Sequence, residues 1–344
     1  MIPDPSRREV VAGLAAAAAA ITSSPAAAAP PPAAITSASS LVARTTQFLA
    51  GLDEAQRKAA SFDWGGSEWR NWNYFGVGGY IKPGLRLEQM RPAQKDAAWA
   101  LFGEVLSPAG LAKTRNVMLL QDILADAGNG RGQRSSERFS VAVFGTPAAT
   151  GAFGLRLEGH HLSLSFAVRD GALVSITPAA FAALPNRVKA GRHAGLNTLK
   201  GEEQIARRLQ ADLAPKLKQR AQASADHLFN ILSSAGRERA NTAKTGVAAA
   251  DMTQAQRELV WQLVETYAVE PYTGAVAATQ KVRVRAGDAA AVHFAWYGPN
   301  TTEKSFGYRV IGDAFVIELG CIDGEAQHLH PVYHDLGNVL GRTG

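Results

Sequence analysis

The stretch FGLRLEGHHLSLSF, residues 153–166, alternates apolar and polar side chains on both sides of a central glycine. This period of two is typical of a β-hairpin, because successive side chains of a strand point to opposite faces of a sheet. Gly159 and His160 are predicted at the two central turn positions, where glycine supplies the positive φ angle. Glu158 then faces His161. The sequence therefore predicts a hairpin with one apolar and one polar face.

A second stretch, FGYRVIG at residues 306–312, repeats the phenylalanine, both glycines and the arginine of the first at a spacing of 153 residues. Upstream, residues 93–99 match residues 255–261 at a spacing of 162 residues. Matches that occur in the same order predict an internal duplication, covering about residues 88–176 and 251–334.

The predicted fold class is α+β, with pseudo-duplicated helices plus antiparallel β-hairpins forming a mixed helix and sheet domain. One globular domain is expected over residues 35–344. In the second hairpin, Gly312 and Asp313 take the central turn positions, which puts Arg309 and Glu318 on the polar face. A solvated sheet face is the alternative interpretation of these polar positions.

Composition limits the kind of partner. Hydrophobic residues make up 46% of the chain and charged residues 19%, which is typical of a folded protein. The net charge of +6 is concentrated between Arg187 and Arg220, and a solvated helix face explains it better than an anion-binding patch. Nucleic acid is not an expected partner, because no basic and aromatic residues interleave. The single cysteine, Cys321, excludes an intramolecular disulfide.

The amino terminus has the pattern of an export signal. Arg7 and Arg8 precede an uncharged apolar run at residues 10–21, and small residues and prolines follow at 22–32. This predicts a twin-arginine signal and an Ala/Pro-rich tail over residues 1–34, and hence a periplasmic location. An ordinary secretory signal is the alternative. The apolar run is shorter than a membrane-spanning helix, and no stable span is expected elsewhere.

Four of the eight histidines lie in two short motifs, at residues 160–161 and at His328 and His330. Residues two apart on a strand project to the same side, so His328 and His330 can bind one ion. Two histidines and a carboxylate form a known arrangement for redox-active or Lewis-acid metals, and Glu318 is the nearest suitable carboxylate. With His161 as a third nitrogen ligand, the sequence predicts a divalent transition-metal site.

The two histidine motifs and the carboxyl-terminal stretch HLHPVYHD, residues 328–335, resemble the exported domain-of-unknown-function family 3500. The resemblance extends from about residue 48 to residue 341. That family usually has arginine where this chain has His334, so this chain lacks the arginine that would bind an anion or orient Asp335 from that position. The resemblance implies no activity.

The expected ligand is a small molecule that is anionic or contains a carbonyl group, held by Arg156, Arg309, Ser163 and Asp335. One alternative is a non-catalytic periplasmic binding protein that uses the arginines and the aromatic segment 64–80. Another is a serine-dependent hydrolase with Ser163 as nucleophile, although no Gly-x-Ser-x-Gly elbow is present. The sequence does not define the oligomeric state.

Overall fold

A mixed sheet of 13 strands forms the middle of the protein. The computed structural model describes residues 39–75, 82–130, 133–301 and 304–341. These residues belong to one compact unit, residues 33–344. Nine α-helices lie within the described ranges, and the predicted α+β fold class is confirmed.

The elements are numbered along the chain. The helices are α1 (Ser39–Ala50), α2 (Glu54–Ala60), α3 (Ser67–Arg70), α4 (Pro92–Gly103), α5 (Pro108–Asp126), α6 (Lys200–Asp212), α7 (Pro215–Ala221), α8 (Gln254–Ala268) and α9 (Gly274–Val284). The strands are β1 (Ser61–Phe62), β2 (Leu85–Arg86), β3 (Ser140–Phe144), β4 (Ala152–Gly159), β5 (Leu162–Arg169), β6 (Ala172–Ser175), β7 (Ala179–Phe181), β8 (Gln222–Ser224), β9 (Val247–Ala248), β10 (His293–Tyr297), β11 (Gly307–Ile311), β12 (Phe315–Cys321) and β13 (Leu329–Asp335). Short 3₁₀ helices lie at Leu87–Gln89, Ala249–Asp251, Ala289–Ala291 and Val339–Gly341.

Polar side chains define where several helices begin. Asp53 accepts a hydrogen bond from the Gln56 backbone N–H at 2.9 Å, and the Gln56 side chain accepts one from the Asp53 N–H at 3.2 Å. Ser107 accepts from the Gly110 N–H at 3.0 Å, with Pro108 at the first helical position. Serine followed by proline predicts the start of a helix, and α5 confirms it.

One predicted strand is a helix. The alternation KVRVR at residues 281–285 predicts a strand, but residues 274–284 form α9. Val276, Gln280 and Val284 are its buried residues and follow helical spacing. Packing of this helical face overrides the alternation.

The sheet is built from two groups of strands, β1–β7 and β8–β13, that meet at its centre. The strand order is β1-β3-β4-β5-β7-β13-β12-β11-β10-β8. Ala179 of β7 pairs with Tyr333 of β13, and Ala183 forms an isolated bridge with Leu329. The β4–β5 hairpin and the amino-terminal end of β13 are therefore brought to the middle of the sheet.

The predicted turn of the first hairpin is wrong by one position. Gly159 pairs with Leu162, so His160 and His161 form the turn, and His161 has a φ of 71°. Gly159 serves a different need. A Cβ there would lie 2.3 Å from Cδ1 of Phe139, so the glycine permits a close approach. The faces are unchanged, because pairing still joins residues of the same face.

The second hairpin differs from its prediction in the same way. Ile311 pairs with Val316, and residues 312–314 connect β11 and β12 instead of Gly312 and Asp313 alone. A Cβ on Gly312 would lie 2.6 Å from Cε1 of Phe315. Here too the glycine allows a ring to pack closely.

Both faces of the central strands are buried. Phe102 of α4 packs on Phe166 on the helix side, with ring centroids 6.1 Å apart. On the opposite side Trp69 packs on Phe144 at 4.9 Å. Residues 63–75 and 225–241, which we call the covering segments, lie over this second face and make the contacts described below. The polar face of the hairpins is thus enclosed rather than solvated.

Each of the two groups of strands contains a short strand that follows two helices and pairs in parallel with a longer strand. β1 follows α1 and α2 and pairs parallel with β3. β8 follows α6 and α7 and pairs parallel with β10. The internal duplication itself stays a prediction.

No helix in the described part of the chain has both the length and the apolar character needed to cross a membrane. The predicted export signal and tail, residues 1–34, lie outside the described residues.

Candidate metal centre

Three histidine rings converge at the centre of the sheet. The Nε2 atoms of His161 and His328 are 3.0 Å apart, and those of His328 and His330 are also 3.0 Å apart. One ligand atom from each residue lies within 4.8 Å of the others. Among the described residues this is a group able to hold one metal ion, and it joins the two histidine motifs predicted from the sequence.

Backbone hydrogen bonds on both sides fix the position of His161. Its N–H donates to the Tyr74 carbonyl at 2.8 Å, and its carbonyl accepts from the Ala182 N–H at 2.7 Å. Ala182 precedes the bridge between Ala183 and Leu329. This arrangement holds the turn beside the strand that carries His330.

The protons of the group cannot satisfy both short contacts. A neutral imidazole Nε2 either donates one proton or offers one lone pair. The Nε2 atom of His328 faces Nε2 of both His161 and His330 at 3.0 Å. At most one of these contacts can be an ordinary hydrogen bond between neutral rings, so the arrangement suits a cation with several acceptors around it.

Burial keeps these histidines neutral. It lowers the pKa of His161 and His330 well below the ordinary value, and it lowers the pKa of His328 in the same direction. Burial, followed by the positive charge of Arg134, lowers the pKa of His160 to about 3. Neutral imidazole is the form that ligates metals.

His160 is adjacent to the group but has other partners. Its Nδ1 contacts Oε1 of Gln121 at 2.7 Å and Nη1 of Arg134 at 2.6 Å. Its ring lies 3.7 Å from the ring of His161, centroid to centroid. His160 therefore supports the ring of His161 and is not one of the three converging residues.

Glu318, the carboxylate predicted as a ligand, is not a member of this group. Its Oε1 accepts from Nε of Arg309 at 2.8 Å. Its Oε2 accepts from the N–H groups of Leu232 and Ser233 at 2.8 and 2.9 Å and from the Ser233 hydroxyl at 2.7 Å. Four donors thus occupy the carboxylate, three of them from the second covering segment, which lies directly over it.

The two arginines predicted to hold a ligand are buried and bonded to protein groups. Arg156 donates from Nε to the Ser165 hydroxyl at 3.0 Å and from its other nitrogens to the carbonyls of Glu68 and Trp69. Arg309 donates to Glu318 and to the Asn241 carbonyl. Each arginine thus fastens a covering segment to the sheet.

Comparison with known proteins identifies the family. The model described as "Protein of unknown function (DUF3500)" matches residues 35–339, nearly the whole chain. The chain belongs to the DUF3500 family. No curated protein and no solved structure matches it significantly.

In this DUF3500 protein Asp335 lies away from the three histidines, at the end of β13. Arg283 donates to its Oδ2 at 3.2 Å, and the Gly337 N–H donates to its Oδ1 at 3.0 Å. Burial raises the pKa of Asp335, while the charge of Arg283 acts in the opposite direction. His334, at the position where the resemblance implies arginine, contacts the Ser233 carbonyl through Nε2 at 2.8 Å. Arg283 therefore supplies the charge that orients the aspartate.

Within the described residues, Ser163 has no histidine partner of the kind a serine nucleophile needs. Its hydroxyl donates to Oε1 of Glu158 at 2.8 Å, and the same oxygen accepts from the Asn73 N–H at 2.7 Å. Glu158 therefore links the hairpin to the first covering segment, which is a structural role.

Two residues beside the DUF3500 histidines were missed as site residues. The ring of Tyr74 packs edge-on against His330 at 4.9 Å, and Asn230 contacts Nδ1 of His330 at 3.2 Å. Tyr74 belongs to the aromatic segment noted in the sequence, which could have indicated it. Asn230 has no local signal, because it meets His330 across 100 residues of chain.

Proposed function

We propose that this DUF3500 protein is an exported metalloprotein in which His161, His328 and His330 bind one divalent transition-metal ion. The observation that carries the proposal is the convergence of three Nε2 atoms, two pairs of them at 3.0 Å. This proposal keeps three of the ligands predicted from the sequence and leaves Glu318 out.

The distances suit a common ion. Imidazole nitrogens bind zinc at about 2.0–2.1 Å, so two such ligands at angles near 90–110° lie about 3 Å apart. Imidazole also suits copper, iron and nickel. An ion between the three rings accepts a lone pair from each nitrogen and removes the conflict at Nε2 of His328.

The ligand set points to reactivity rather than a purely structural role. Structural zinc sites have four protein ligands, whereas catalytic sites have three and keep a position for water or substrate. His328 is only partly buried, unlike His161 and His330, so the ion is approached from the side of His328. The bound ion would polarise a carbonyl or activate a water molecule, in keeping with a small anionic or carbonyl-containing ligand.

The other predicted functions have less support. A binding protein that uses Arg156 and Arg309 needs their guanidinium groups to reach a ligand, yet both side chains are buried and donate to protein oxygens. A serine hydrolase needs a base beside Ser163, whose hydroxyl donates to Glu158.

Export is part of the proposal and rests on the amino-terminal sequence. Arg7 and Arg8 before the apolar run support a twin-arginine route to the periplasm. Replacement of both arginines by lysine is expected to leave the precursor in the cytoplasm, as measured by cell fractionation. Normal export of that variant in cells that lack the twin-arginine machinery would instead indicate the ordinary secretory route.

Elemental analysis of the protein purified from its native compartment tests the metal site. We expect about one transition-metal ion per chain. The His328→Ala/His330→Ala double variant should contain none while remaining folded by circular dichroism. His293→Ala is the matched control, because His293 is a half-buried histidine outside the group. A native protein that neither contains nor takes up a metal ion would refute the proposal.

A further inference from the structure

We infer that Asn230 is a positioning residue for His330: its side-chain oxygen holds the ring with Nδ1 protonated and Nε2 directed at the ion. The inference rests on the proposed metal site and adds the residue that prepares one of its ligands. Asn230 does not itself contact the ion.

The hydrogen bonds identify which atom of Asn230 faces the ring. The Ile231 backbone N–H donates to Oδ1 of Asn230 at 2.8 Å, and a backbone N–H can only donate. The same atom accepts from the Tyr74 hydroxyl at 2.9 Å. It is therefore the carbonyl oxygen, and Nδ1 of His330, 3.2 Å away, must carry the proton that points to it.

The consequence falls on the other ring nitrogen. A neutral imidazole protonated at Nδ1 has its lone pair on Nε2, the atom that lies 3.0 Å from Nε2 of His328. Acceptors on the far nitrogen of a metal-bound histidine fix the tautomer and raise the basicity of the ligating nitrogen. Asn230 meets both requirements for His330.

The backbone holds Asn230 in place. A Cβ on Gly320 would lie 2.8 Å from Cα of Asn230, so the absence of a side chain lets the covering segment rest against β12. Gly320 is the direct cross-strand partner of His330. The distance between Asn230 and His330 is thus set by main-chain packing as well as by the side-chain bond.

His161 differs from His330 in this respect. Its Nδ1 is buried and has no hydrogen-bond partner among the described residues. A proton on Nδ1 of His161 therefore has no acceptor among the described residues, so of these two histidines only His330 is oriented by a protein acceptor. Loss of the Asn230 side chain should therefore weaken the binding of the ion, because His161 cannot compensate for it.

Zinc affinity of the full-length protein, measured by competition with a chelator, tests the inference. Asn230→Leu keeps the side-chain size and removes the acceptor, and should weaken binding roughly 10- to 100-fold. Asn230→Asp keeps an acceptor and should bind as tightly as the native chain or more tightly. Tyr74→Phe removes a donor to the same oxygen without removing the oxygen, and should change affinity by less than about threefold.

A second readout is independent of affinity. In the metal-free protein, nitrogen NMR shifts of His330 should show protonation at Nδ1, and Asn230→Leu should abolish that preference. If Asn230→Leu fails to fold, Gly320→Ala is the substitute variant, because the added Cβ displaces Asn230 without changing its side chain. Gly320→Ala should also weaken zinc binding.

The outcomes separate this inference from the metal site itself. Zinc binding by the native chain together with unchanged affinity in Asn230→Leu, or equal loss in Asn230→Leu and Asn230→Asp, overturns the role of Asn230 and leaves the site intact. No binding of zinc or of any other divalent transition-metal ion by the native chain overturns both. Weaker zinc binding by Asn230→Leu together with preserved zinc binding by Asn230→Asp establishes the positioning role of Asn230.

Discussion

His161 and His328 are separated by 167 positions in the chain, yet their Nε2 atoms lie 3.0 Å apart. The contact exists because the β4–β5 turn and the start of β13 meet where the two groups of strands join. Neither group of strands holds all three histidines. The candidate metal centre therefore depends on correct assembly of the whole sheet.

His161→Gly and His161→Ala should both lose the metal but differ in stability. The residue has a φ of 71°, a conformation that glycine adopts without strain and alanine does not. We expect His161→Ala to be less stable than His161→Gly by about 1 kcal/mol. Urea unfolding of the metal-free variants measures the difference. Equal stability of the two would show that the turn is not strained at this position.

Acid should destabilise the metal-free protein in part through His160. Its pKa is lowered from 6.5 to about 3, mainly by burial. The unfolded chain therefore takes up a proton below about pH 6.5 that the folded protein does not, so the free energy of unfolding falls as the pH falls. Urea unfolding at about pH 7.5 and about pH 5.5 measures this loss.

His160→Gln provides the comparison. Glutamine cannot take up the proton, so the loss of stability between the two pH values should shrink by about 1 kcal/mol. An identical pH dependence in the variant and the native protein would mean that the pKa of His160 is the same in the folded and unfolded states.

The sequence predicts the faces of the hairpins because strand side chains alternate with a period of two, and a shift of two in pairing leaves that pattern intact. It misplaces the turns because Gly159 resembles a turn glycine, whereas the structure uses it to admit the ring of Phe139. Local pattern cannot distinguish these two uses of glycine.

The two histidine motifs could be predicted, but their surroundings could not. Glu318 has the chemistry of a metal ligand. In the folded protein, however, its carboxylate accepts hydrogen bonds from Ser233 of the covering segment, some 85 residues earlier in the chain. Asn230 is still more remote from His330, at 100 residues along the chain. Contacts of this kind are decided by tertiary packing, which leaves no periodic signal in the sequence.

Cys321 should not react with thiol reagents in the native protein near neutral pH. Burial raises the pKa of its thiol to about 11, and the thiolate is the reactive form. Labelling should reach one equivalent only after denaturation, which serves as the control. Rapid labelling of the native chain would contradict the buried position of Cys321.

Arg309→Met should destabilise the protein strongly without removing the metal. Arg309 and Glu318 form an ion pair at 2.8 Å, with side chains 5% and 0% exposed. Removal of the arginine leaves a buried carboxylate without its counter-charge, a change worth about 3–5 kcal/mol in comparable pairs. Urea unfolding gives the stability change, and elemental analysis gives the metal content.

Arg44→Met is the matched control, because Arg44 and Glu104 form an ion pair at 3.1 Å whose side chains are 45% and 26% exposed. Water and salt screen such a pair, so the variant should lose less than about 1 kcal/mol. Addition of Glu318→Gln to Arg309→Met should recover part of the lost stability, since the buried charge is then removed as well. Loss of the metal in folded Arg309→Met would show that the metal centre depends on the pair of Arg309 and Glu318, whereas retained metal would assign the pair to fastening the covering segment.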